Sequence, residues 1–168
     1  PDSRQRPTFL YFPDLPATPY FDRQVFPWIE EFESQASAIQ AELQLVLRAN
    51  AGSEEVFGSP ELAAQNLRSA RGAPHWTGHY FWRHGERREA NCAACPATSH
   101  ALDQLPLSHV AGHGPEVLFS VFTPGTHLLA HRGVTNTRVV AHLPLVVPPD
   151  CALRVGGEDH VWERDRVI

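Results

Sequence analysis

Residues 123–149 read TPGTHLLAHRGVTNTRVVAHLPLVVPP and carry His131, Arg138 and His142 within a dozen positions. Their types suit metal ligation and carboxylate capture. A neutral imidazole nitrogen binds divalent transition metals, and a guanidinium can grip a carboxylate through two parallel hydrogen bonds. Residues 137–145 read as a strand, whose two-residue period sends Arg138, Val140 and His142 one way and Val139, Ala141 and Leu143 the other. If the first face lines a barrel interior, the cation and imidazole need a polar partner, and a bound carboxylate supplies one. Ser120, on the preceding predicted strand, adds a hydroxyl. The same pair on an outer face would simply be solvated, and the pattern leaves both arrangements open.

His131 lies in the run Ala130-His131-Arg132-Gly133. Most non-haem iron(II) oxygenases hold the metal with two His and one carboxylate, leaving positions open for cosubstrate and O₂. The first His and the carboxylate are usually one residue apart, and here that position is Gly133. Spacing alone therefore favours a turn histidine over an iron ligand.

The elements that must position these groups follow from pattern. Residues 1–25 are rich in Pro and aromatics and predict an extended arm packed on the domain. Pro27 then opens a helix in which Trp28, Ile29, Phe32, Ile39, Leu43, Val46 and Leu47 recur at helical spacing, ending near Asn50-Ala51-Gly52. Ser59-Pro60-Glu61 reads as cap, first-turn proline and acidic residue of a shorter helix running toward Arg68. Residues 75–83 alternate Trp76, Gly78, Tyr80, Trp82 against Thr77, His79, Phe81 and predict a strand. Residues 84–115 read as loop-rich, with a short helix around 101–105. Strands follow at 116–123, 137–147 and 151–155, with a Pro124-Gly125 turn after the first. Gly156-Gly157 leads into a last strand over 161–168. Helices first and short consecutive strands later predict an antiparallel sandwich or barrel with helices on one side.

Bulk properties exclude several classes. At 168 residues the chain suits one domain, and 42% apolar with 20% charged residues is ordinary for a soluble globular protein. A net charge of -5 argues against a nucleic-acid surface, which normally shows a basic stripe. No apolar run approaches the length of a membrane span, and no secretory signal layout stands near Pro1. The chain has no Met, so its native start is expected upstream of Pro1 or removed, and all 14 basic residues are Arg. Three cysteines, Cys92, Cys95 and Cys151, do not make a disulfide scaffold and point to a reducing cytoplasm. Cys92 and Cys95 form a lone CxxC that, with His84 or His100, could be part of a zinc site. A tetrahedral site wants a second pair, and the plainer reading is a packed loop. Arg87 and Arg88 read as solvated charges. The pairs His75/His79, His109/His113 and His127/His131 have helical ligand spacing but fall on predicted strand or turn.

The ordered run Pro124-Gly125-Thr126-His127, His131-Arg132-Gly133, Thr135-Asn136-Thr137-Arg138, His142-Leu143-Pro144-Leu145, Val147-Pro148 resembles the core pattern of the aspartyl/asparaginyl β-hydroxylase family. The likeness continues through Gly156-Gly157-Glu158 and Trp162-Glu163, and reaches back more weakly to residues 85–88 and 92–96. It implies a single dioxygenase domain over 1–168, mainly β, with an arm and helices in 1–73. Its double-stranded β-helix core (a jelly roll, cupin-like) would span 74–168 and lack closing strands at the C-terminal end. The implied cofactors are Fe(II) and 2-oxoglutarate. The implied reaction hydroxylates an unactivated carbon of a peptide Asp or Asn, or of a related small-molecule or lipid substrate, with release of succinate and CO₂.

In that family Gly at the carboxylate position is normal. By resemblance His131 matches the first iron ligand, Ser120 and His142 match residues that hold 2-oxoglutarate, and Arg138 matches a basic position of the active-site strand. This chain departs in carrying Val140 where a second Arg is frequent. The family's second iron His and a later 2-oxoglutarate-clamping Arg follow the segment matching residues 164–168, and no other His here occupies the matching place. The native protein is accordingly expected to continue beyond Ile168. Two other readings stay open: a catalytically silent jelly-roll module holding an acidic ligand on the Arg138/His142 face, and a zinc-stabilised interaction domain.

Overall fold

A computed structural model of the protein describes residues 5–49 and 52–168. After an irregular arm, a 3-10 turn over Arg23–Val25 is capped by the Asp22 carboxylate, which accepts from the Gln24 N–H at 2.9 Å. The predicted long helix is two helices, α1 (Ile29–Ser34) and α2 (Ala36–Ala49), separated at Gln35. The break has a local cause. The Ser34 hydroxyl donates to the Glu31 carbonyl at 2.7 Å, competing with the helical ladder where the periodicity alone reads as continuous. The predicted stop at Asn50-Ala51 lies outside the described residues.

A short strand β1 (Ser53–Glu55) precedes α3 (Pro60–Asn66), which starts as the sequence predicts: the Ser59 hydroxyl accepts from the Leu62 N–H at 3.3 Å, with Pro60 in the first turn. It stops at Asn66, because residues from Leu67 turn into strand β2 (Leu67–Ser69). The predicted aromatic strand is β3 (Trp76–Arg83), followed by β4 (Glu86–Arg87). The region read as loop-rich with a short helix around 101–105 holds two helices, α4 (Glu89–Ala94), which was not expected, and α5 (Pro96–Asp103), which overlaps the expected one but starts earlier. Each is too short to give a helical period, and Pro96, which has no N–H, starts the second one. Then come β5 (Val117–Phe122), β6 (Thr126–Leu128), β7 (Ala152–Val155) and β8 (Glu158–Val161).

All the sheets are antiparallel. β3 pairs with β5 along one edge, with β1 and β4 on the other, while β2–β6 and β7–β8 form two-stranded ribbons. Gly156 and Gly157 both have positive φ, 60° and 91°, which suits the two-residue hairpin turn. The last strand therefore begins directly at Glu158, not at 161 as predicted. Residues 137–147 form no strand. Two backbone bonds join His142 and Ile168, at 2.8 and 3.0 Å, and Pro144 accepts from Asp165 at 2.8 Å. Pro144 has no N–H to continue a ladder. The balance is thus mixed α and β rather than mainly β, with no closed barrel among the described residues.

The core explains the layering. Ala36, Ile39, Leu43 and Val46 form one stripe of α2 and pack with Phe81, Phe119, Cys92, Cys95, Ala101, Leu102 and Leu145. Phe81 and Phe119 lie on the helix side of the β3–β5 sheet, their rings 5.0 Å apart and edge to face. A carboxylate closes the C-terminal end over α1. Glu33 accepts from both Arg23 guanidinium nitrogens at 2.8 Å and from the Val167 N–H at 2.6 Å, with Arg166 at 3.7 Å. Burial pushes the Glu33 carboxyl upward, but the Arg23 hydrogen bond, the Val167 N–H and the nearby guanidinium charges outweigh it and hold it below its ordinary value. Glu33→Ala strands these donors, and we expect it to cost about 2–3 kcal/mol of stability in urea unfolding. A loss under about 0.5 kcal/mol, the scale of an ordinary surface change, would show the clasp to be dispensable.

Candidate active site

The sheet face opposite the core is built on an unusual floor. Gly78 lies directly across from Ser120, and Trp76 across from Phe122. A Cβ at position 78 would sit 2.7 Å from Leu118 Cδ1 and 2.8 Å from Tyr80 Cε2, so any larger residue there would push these two side chains aside. The Trp76 and Phe122 rings stack at 5.0 Å and 15° between planes, with Phe57 edge-on to Trp76 at 5.5 Å. Trp76 Nε1 donates to Ser120 Oγ at 2.8 Å. An indole only donates, so Ser120 accepts there and keeps its own hydroxyl hydrogen for another acceptor. A carboxylate oxygen is such an acceptor.

His131 is exposed, on an irregular stretch after β6. Its Nδ1 lies 3.0 Å from the Leu129 carbonyl oxygen. A carbonyl can only accept, so Nδ1 carries a proton, and in the neutral ring Nε2 then keeps a lone pair. That tautomer suits metal ligation through Nε2, with the other nitrogen held by the ring's own backbone.

Arg138 is half-buried, and its Nη1 donates to the His113 carbonyl at 3.1 Å. His142 is half-buried against Trp162, ring centroids 5.2 Å apart, and burial depresses its pKa, leaving it neutral at physiological pH. Val139 and Val140 between them are 46% and 67% exposed. The two-residue alternation expected of a strand over 137–145 is therefore absent. The four predicted residues take four separate partners: Trp76, Leu129, His113 and Trp162. Among the described residues, no group of three or more His, Cys, Asp or Glu could hold a metal.

Other expectations resolve differently. Cys92 and Cys95 are buried in the core, and burial, helped by Glu42 and Cys92, pushes the Cys95 thiol up to about 11. A protonated core thiol is a small hydrophobe rather than a zinc ligand. His84 pairs with Glu116 at 3.0 Å instead of turning to the cysteines. Arg87 is not a free solvated charge: it donates to Ser99 Oγ at 2.7 Å and lies 3.2 Å from Glu89 and 3.6 Å from Asp103. Trp76 is the functional neighbour that sequence reading missed. Its place in an aromatic strand was visible, but its reach to Ser120 depends on register between segments 44 residues apart. Among the described residues, no helix is long and apolar enough to cross a membrane.

The family described as aspartyl/asparaginyl beta-hydroxylase matches residues 33–168. Human aspartate beta-hydroxylase domain-containing protein 2 is 31% identical over 170 residues, covering 99% of this chain and 43% of that protein. The ornithine lipid ester-linked acyl 2-hydroxylase of Rhizobium tropici is 30% identical over 162 residues, covering 95% of this chain and 54% of the relative. Human aspartyl/asparaginyl beta-hydroxylase is 34% identical over 94 residues, 55% of this chain and 12% of that protein. The chain spans about half the length, or less, of these curated relatives.

The depressed pKa of His142 has a stability consequence. Unfolded, its imidazole titrates near about 6.5. Folded, it titrates lower, so below that pH the unfolded state binds more protons and stability falls with falling pH until the folded group also titrates. Urea midpoints measured from pH 7.5 down to pH 5 should fall less steeply in His142→Gln than in the wild type. Parallel curves would show that this ring is not the titrating group.

Proposed function

The chain belongs to the aspartyl/asparaginyl β-hydroxylase family, and from that premise we propose that it serves an Fe(II)- and 2-oxoglutarate-dependent hydroxylase acting on an unactivated carbon. The observation that carries this reading is the Leu129 carbonyl on His131 Nδ1, which leaves Nε2 as a ready ligand atom. His131 would hold the metal as one ligand of a set that the described residues do not complete. Bound iron would activate O₂, the oxidant, with the 2-oxo acid as the two-electron co-reductant, a task the protein's own side chains cannot perform.

The chain's part is to bind and orient. Ser120, its Oγ engaged by Trp76, would offer its hydroxyl hydrogen to a carboxylate of 2-oxoglutarate. Neutral His142 would offer a ring N–H to the same anion. Arg138 has donors left after its single bond to the His113 carbonyl and would bring positive charge toward a substrate or cosubstrate carboxylate. On this reading the antiparallel sheets are parts of a jelly roll. The substrate would be an Asp or Asn side chain or a related group. The relative named for a lipid acyl 2-hydroxylation makes an acyl chain the second substrate class to try.

The test uses the full-length native protein with Fe(II), O₂ and 2-oxoglutarate, following succinate release. We expect His131→Ala to lower it by more than the roughly 10–100-fold typical of losing an outer-shell partner of a metal ligand. Wild-type turnover in that variant rejects the ligand assignment, and wild-type protein that binds 2-oxoglutarate without consuming O₂ favours the silent binding module. Separately, Ser120→Ala and Trp76→Phe should each weaken 2-oxoglutarate binding about 5- to 15-fold, the worth of one hydrogen bond. The double variant should lose less than the product of the two, because they act on the same bond. Unchanged affinity in both single variants removes Ser120 from the site.

A further inference from the structure

Residues 129–142 carry the predicted metal ligand and the basic position, yet they contain no strand or helix. Something outside the segment must hold them. At its middle the holder is the N-terminal arm. The Thr8 N–H donates to the Gly133 carbonyl at 3.1 Å, and the Phe9 and Leu10 N–H groups donate to the Val134 carbonyl at 3.0 and 2.9 Å. Leu10 and Thr135 form a parallel bridge.

Asn136 then closes the contact. Its Oδ1 accepts from the Phe12 N–H at 2.7 Å, and its Nδ2 donates to the Phe12 carbonyl at 2.7 Å and to Gln5 Oε1 at 3.0 Å. The side-chain amide grips both polar groups of one backbone residue, as a neighbouring strand's peptide would. An aspartate could supply the acceptor but neither donor. The arm also reaches Arg138 indirectly. The Phe9 ring stands 4.2 Å from the His113 ring, and it is the His113 carbonyl that receives Arg138 Nη1.

We propose that residues 5–12 are a strap, fastened by Asn136, that positions residues 131–138, and that strap closure and ligand binding at this site are coupled. The coupling half rests on the function proposed above. Asn136 is thus a positioning residue, acting through the backbone that carries His131 and Arg138. The strap is held mainly by hydrogen bonds: Phe9, Leu10 and Phe12 are 60%, 41% and 55% exposed, so little apolar burial opposes opening. If a bound ligand favours the closed strap, the closed strap must favour the ligand by the same factor.

Full-length Asn136→Ala tests this with three readouts. Hydrogen–deuterium exchange of peptides covering 131–138 should rise at least 10-fold while α2 is unchanged, and chymotrypsin cleavage after Tyr11, within the strap, should quicken. Binding of Co(II) together with 2-oxoglutarate should weaken about 5- to 10-fold, and those ligands should slow chymotrypsin cleavage after Tyr11 in the wild type but not in the variant. Leu10→Pro, which removes one arm N–H and leaves Asn136 intact, should reproduce the exchange and cleavage effects. Wild-type exchange over 131–138 in both variants overturns the strap. Raised exchange with wild-type ligand affinity overturns the coupling. Wild-type protein that binds neither Co(II) nor 2-oxoglutarate counts against the proposed function, while the exchange result still decides the strap.

Discussion

Buried or half-buried peptide groups must find hydrogen-bond partners, and the stretch from 129 to 142 has no ladder of its own to provide them. How those groups are satisfied determines where His131, Arg138 and His142 sit. At the front, the Leu129 N–H donates to the Asn66 carbonyl at 2.9 Å, where α3 hands over to β2. In the middle, the arm supplies N–H donors to Gly133 and Val134. At the back, His142 exchanges two bonds with Ile168, and Ile168 stays in place because its neighbour Val167 is tied to Glu33 and Arg23. This fourteen-residue segment is therefore suspended from three parts of the chain far apart in sequence.

Ser120 is held quite differently. It sits in a six-residue strand paired along its length with β3, across from Gly78, whose missing side chain leaves room for Leu118 and Tyr80, and beside an indole that fixes the role of its oxygen. The framework behind it is the helix-packed core around Phe81 and Phe119. Ser120 is thus a donor on a paired sheet, whereas His131 stands on a braced, unpaired segment. Val140 adds no charge, and Arg138 already spends one nitrogen on a backbone carbonyl. On the proposed reading, recognition of an anion leans on hydrogen bonds from Ser120 and His142 more than on a paired guanidinium clamp.

What could be read in the sequence is what local chemistry decides. Ser59-Pro60 announces a helix start, Pro124-Gly125 a turn, and Gly156-Gly157 a hairpin, because each works within a few residues. The aromatic alternation of β3 was equally plain. The break at Gln35 was hidden, since one serine back-bond decides it inside an unbroken apolar stripe. Helix α4 and the first turn of α5 were hidden by their shortness, although the end of α5 falls on the short helix expected around 101–105. The strand read over 137–147 is the instructive difference: its residue types suit a strand, but pairing needs a neighbour, and neighbours are a tertiary property. The same limit applies to the site. Types and order of His131, Arg138, His142 and Ser120 were legible and carry the family likeness, whereas Trp76, His113 and the Asn136 clasp became visible only when distant segments met.

This division between a paired sheet and a suspended segment has a thermodynamic corollary. The partners that fix Ser120 and those that fix His131 and His142 belong to different elements: β3 for the first, the arm, α3 and the C-terminal clasp for the others. A ligand touching both sides would join parts that the described hydrogen bonds hold independently. It would then stabilise the folded state by the usual linkage, which grows with the logarithm of ligand concentration over its dissociation constant. Part of its intrinsic affinity would be used to order the segment, so preorganisation by the arm and by Glu33 would appear as tighter binding rather than as new contacts. Residues that touch no substrate can tune the site in this architecture because the segment bearing its chemistry does not hold itself.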